Sequence, residues 1–176
     1  MLFSSNSVWT MLHGIILGGG ALLALAAALF SLGFMASSPH SEATPRQSES
    51  VATLTVLVSV ALWMTVIGGT YIVFPPYRTP PPEGLVSLAA YPRAFLLANP
   101  DTAWLHAFAM ETKEHIPWIA AILSTAVAFV SMRHRSRLLA DPRIRTMVTT
   151  LTAITFVLAS YVALLGVFVN KVAPLE

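Results

Sequence analysis

Between Val8 and Ala36 the chain carries no Asp, Glu, Lys or Arg, and the same is true from Val51 to Phe74 and from Thr146 to Val169. A fourth stretch, Ile116 to Met132, is equally free of these residues. About 20 helical residues cross the hydrocarbon core of a bilayer, so each run is long enough, or nearly so, to span one. A chain of 176 residues cannot shield four such runs from water, because only 10% of it is charged, against about 25% in a soluble domain. This predicts one integral membrane domain over residues 1–176, all-α, folded as a four-helix transmembrane bundle.

The helices are expected at about 8–36, 51–74, 100–132 and 146–169. Pro75-Pro76 should stop the second, since proline lacks the N–H a helix needs. Residues 75–99 then form an interfacial segment on the outer surface, interrupted at Pro92, with Tyr91 and Arg93 at head-group level. Asn99-Pro100-Asp101 is a helix start: a cap, a proline suited to the first turn, and an acid at the N-terminus. Ser37–Ser50 reads as a polar loop containing His40.

Orientation follows from charge. Arg133, Arg135, Arg137, Arg143 and Arg145 crowd the loop between helices 3 and 4. The positive-inside rule places Arg133–Arg145 in the cytoplasm, most simply across a bacterial-type inner membrane, and both termini outside. The N-terminal run lacks the basic start and short apolar core of a cleaved signal, so it is read as a retained helix.

Other chemistry is excluded by what is missing. With no cysteine there are no disulfides, iron–sulfur clusters or covalent c-type haem. Nucleotide-binding glycine motifs are absent. A net charge of +2 without a basic face gives no basis for nucleic-acid binding.

The polar residues within the helices gather toward the outer side. His13 lies in helix 1 and His106 and His115 in helix 3, with His106 about 13–14 Å beyond His115 at 1.5 Å per residue. At 100° per residue, His106 and His115 face opposite ways, whereas Glu111 and His115 share a face and a hydrogen bond between them is expected. Glu111, Lys113 and Glu114 form a candidate proton or ion site, since ionisable groups in a membrane are functional by default. Pro117 is expected to kink the helix beside them. Gly20, seven residues from His13, would clear space for a flat cofactor hung from that histidine. Gly68-Gly69 and Gly166 make further thin spots. Tyr71, Tyr77, Tyr91, Trp9, Trp104 and Trp118 read as an interfacial aromatic belt, with a quinone pocket as the alternative use.

Taken together, the plan and its histidine-bearing helices resemble the four-helix membrane subunits that carry haem b in respiratory complexes. That resemblance implies a cytochrome b-like electron-transport role, with haem b as the first cofactor and quinone as a second. The iron ligands would come from His13, His106 and His115, with electrons exchanged with quinol or a partner subunit. The chain would then be at most a non-catalytic electron-transfer subunit of an oxidoreductase. Two other readings stay open: a cofactor-free accessory or anchor subunit of a larger membrane complex, and a small proton-coupled transporter using Glu111 and His115. Lipid and further protein subunits are the expected partners.

Overall fold

A computed structural model describes residues 4–37 and 44–175. His40 and residues 38–43 of the predicted first loop lie outside the described residues. Among those described there is no strand, and four long helices are apolar enough to cross a membrane: Ser5–Ser37, Pro45–Arg78, Pro100–Arg133 and Pro142–Val172. These mark the chain as an integral membrane protein, and the four-helix architecture is as expected.

Each long helix runs beyond its predicted bounds, and prolines explain much of the difference. Three of the four begin at a proline: Pro45, Pro100 and Pro142. The first turn of a helix has no use for those N–H groups. The residue before each proline starts the helix. Asn99 accepts from the Asp101 amide and Asp141 from the Arg143 amide, both at 2.9 Å. The Thr44 amide donates to Gln47 Oε1 at 2.8 Å. Helix 2 therefore starts at Pro45, not Val51.

Pro75-Pro76 does not end helix 2. The chain passes through a widened π-helical turn, Gly69–Val73, and continues as Phe74–Arg78. The prolines occupy the first turn of that resumed helix, where missing donors do no harm. Pro92 likewise opens a short helix, Pro92–Ala98, rather than breaking one. The arginine-rich loop contains a further short helix, Arg135–Ala140. Pro117 sits inside a helical run from Glu111 to Arg133 that is unbroken.

The first helix packs on the second and fourth, and the third also packs on the second and fourth. The first and third therefore stand diagonally opposed. Ser7 Oγ donates to the Leu175 carbonyl at 3.0 Å, which ties both chain ends to one end of the bundle, here the terminal end. The arginine loop closes the other end, where Leu138 is fully buried among Leu32, Met35, Val51, Val127 and Val148.

The bundle centre is built from small residues. Ala21, Ala28, Ala52, Ala120, Ala121 and Ser124 are buried and let the backbones approach. One polar knot joins helices 2 and 3: Trp63 Nε1 donates to Thr125 Oγ1 at 2.9 Å, and Ser59 Oγ lies 3.1 Å from the same oxygen. Trp118 meets Trp63 edge-on at 6.0 Å, so Trp118 belongs to the interior rather than to an aromatic belt. Large apolar side chains cover the outside, with Phe30 78% and Leu23 75% exposed. Such a surface suits hydrocarbon and not water.

At the terminal end, Tyr77, Leu96, Leu105, Ala109, Met110, Leu165, Val169 and Ala173 form one core cluster. Leu96 anchors Pro92–Ala98 across this end, so the interfacial segment packs on the bundle itself.

Candidate functional site

Three of the four long helices widen into π-helical turns at the terminal end: Leu12–Gly19, Gly69–Val73 and Leu105–Met110. Such i→i+5 segments are rare and concentrate at functional sites. His13 lies in the first, Gly69 opens the second, and His106 lies in the third.

His13 is half-buried and rests on helix 2. A methyl group placed on Gly69 would lie 2.6 Å from its Cε1 atom, so only glycine leaves room for the ring. The imidazole also engages the backbone of Thr65, one turn earlier. Its Nδ1 is buried and has no hydrogen-bond partner. The charge of Lys113 acts on this ring. Lys113 comes from the diagonally opposite helix and lies over Gly166 of helix 4, where a methyl group would sit 3.1 Å from its Nζ. Two of the glycine thin spots are thus occupied by the two basic side chains. Gly20 has a different place: it is exposed, with nothing within 4 Å of its Cβ position, and it does not line the His13 site.

His106 belongs to another group. Its Nδ1 is 3.0 Å from Tyr77 Oη, and its Nε2 accepts from Arg93 Nε at 3.3 Å. A guanidinium N–H can only donate, so Nε2 holds the lone pair and Nδ1 carries the proton donated to Tyr77. Both nitrogens are therefore engaged by protein partners. Glu111, Glu114 and Arg78 also act on this ring. Tyr77 is 3% exposed, which removes it from the aromatic belt. Arg93 lies in Pro92–Ala98, so it joins the terminal segment to the bundle.

His115 stands apart from both. It is exposed, and its Nδ1 lies 2.7 Å from the Glu111 backbone carbonyl rather than the carboxylate. The expected Glu111–His115 side-chain pair is replaced by this backbone contact. Glu111 is exposed and Glu114 half-buried, and both act on Tyr77 and His106. The structure therefore seats His13 on Gly69 within the field of Lys113, and joins His106 with Tyr77 and Arg93, so the three histidines have different surroundings. Among the described residues no group of three or more His, Asp or Glu side chains is placed to hold a metal ion.

Thr65 carries no signal in the sequence, while Tyr77 and Arg93 stand out there as belt and head-group residues, or for Tyr77 as a quinone contact, and not as partners of His106. Tyr77 follows a double proline and Arg93 lies in a presumed surface strip, so neither carried a periodic signal. No protein-family model, curated protein or solved structure matches this chain.

Proposed function

We propose that this chain is a membrane subunit of an electron-transfer complex, working at a quinol-type carrier through His13 and Lys113. The observation that carries the reading is the buried, unpartnered Nδ1 of His13, in a ring seated on Gly69 and within the field of Lys113. A polar atom in such a place calls for a partner. Nδ1 is suited to accept a hydroxyl proton, and the positive charge of Lys113 would stabilise the negative charge that develops on that oxygen. Oxidation of a quinol to quinone releases two protons and two electrons. His13 would take one proton, the second would leave to water, and the electrons would pass to a redox centre of a partner subunit.

The arginine loop favours a cytoplasmic placement for Arg133–Arg145 and an outer one for the terminal end, across an inner membrane. Haem b is the competing cofactor. His13 is the histidine that fits it, because His106 would first have to give up Tyr77 and Arg93. Val86, fully exposed on the segment after Arg78, favours a second reading as a cofactor-free accessory subunit docked through that segment.

Spectra of the detergent-purified protein, oxidised and reduced, combined with quinol binding, test the reading. Quinol binding that disappears in His13→Gln and Lys113→Met, with no Soret band, supports it. A Soret band lost in His13→Ala assigns haem b instead. Colourless protein that binds no quinol and co-purifies with large partners makes it an accessory subunit. Proton-coupled uptake into liposomes, abolished by Glu111→Gln, makes it a transporter.

A further inference from the structure

The hydrogen bonds around His106 have a consequence that is independent of any electron-transfer role. Arg93 Nε donates to Nε2 at 3.3 Å, and this bond requires an unprotonated nitrogen. Protonation places an N–H opposite an N–H and an imidazolium against a guanidinium. The Tyr77 bond survives that change, since Nδ1 already donates. Only the link to Arg93 is broken.

That link joins two separate pieces of structure. Arg93 is in Pro92–Ala98, and His106 is in the π-helical turn of helix 3. Two further attachments hold the short helix: Leu96 is buried in the terminal core, and its carbonyl accepts from Thr102 Oγ1 at 2.9 Å. Breaking the Arg93 bond therefore loosens the segment rather than detaching it. Beneath it lie Tyr77 and Met110, and Met110 is one helical turn from Lys113.

We propose that His106 is a proton-sensitive latch. When neutral, it holds Arg93 and keeps Pro92–Ala98 closed over the terminal end of the bundle. When protonated, it releases Arg93 and the segment loosens. The charged and titratable groups facing the ring are Tyr77 and Arg78 from helix 2, Arg93 from the short helix, and Glu111 and Glu114 from helix 3. No charge from helix 4 acts on it.

Hydrogen–deuterium exchange of the full chain in nanodiscs, between pH 4.5 and 8 and corrected for intrinsic exchange rates, tests the latch. In the wild type, peptides covering 92–98 are expected to exchange about tenfold faster at the acid end, the worth of one charge-assisted hydrogen bond. His106→Gln keeps an acceptor for Arg93 at every pH and should show slow, pH-independent exchange. Arg93→Gln should exchange fast at both ends while His106 is still present, which covers the case in which His106→Gln does not fold. A flat wild-type profile overturns the proposal, as does a wild-type pH response that persists in either variant.

Discussion

The imidazole of His13 fills the space that a side chain at Gly69 would need, with Cε1 only 2.6 Å from the Cβ position. The first helix thereby presses a polar ring directly onto the backbone of the second. Gly69→Ala is expected to drive the ring off its seat and destabilise the bundle by about 1–3 kcal/mol, the usual range for overpacking. Thermal unfolding in detergent measures this. His13→Ala in the same chain should restore most of the loss, because the atoms that clash are then gone.

Lys113 separates function from structure. It is a cation placed against Gly166 inside the bundle, and no ion pair with a described carboxylate accompanies it. An unpaired charge in such a place adds little stability. Lys113→Met should leave the unfolding temperature unchanged or raise it, because removing an unpaired charge from a partly buried place relieves its desolvation, while quinol binding is lost. A large loss of stability would show that the lysine is structural.

Tyr77→Phe removes one oxygen from a nearly inaccessible site and leaves His106 Nδ1 without its acceptor. A cost of about 0.5–1.5 kcal/mol is expected for losing one hydrogen bond to a half-buried ring. Because the fault lies at the terminal end, local hydrogen exchange should rise around 77 and 106 and stay unchanged around Leu138.

The Trp63–Thr125 bond gives a spectroscopic prediction. Thr125→Val keeps the side-chain shape but removes the oxygen that receives the indole N–H and contacts Ser59. Helix-to-helix hydrogen bonds in membranes are worth about 0.6–2 kcal/mol. The variant should be destabilised by that amount and should shift Trp63 fluorescence.

Topology can be tested cleanly because the chain has no cysteine. Ser4→Cys should react with a membrane-impermeant maleimide in intact cells. Ser136→Cys, exposed beside the arginines, should react only after the membrane is opened. The reverse pattern would invert the orientation.

The sequence alone determined the number of long helices, their order and their chemical surroundings. Charge-free runs of bilayer length have few ways to bury their backbone polar groups apart from helices, and the cap–proline pair at Asn99 marks where the third starts. The site was only partly legible. His13, Lys113, Gly69 and Gly166 all stood out, but as separate features. Reading the faces assumed a constant 100° per residue, and the π-helical turns break that constancy at the end where the histidines lie. Which ring meets which glycine, and that a buried tyrosine and an arginine from the terminal segment take both nitrogens of His106, depends on the packing of helices far apart in the chain. Only the tertiary structure decided those pairings, because local periodicity carries no information about the partner across a helix interface.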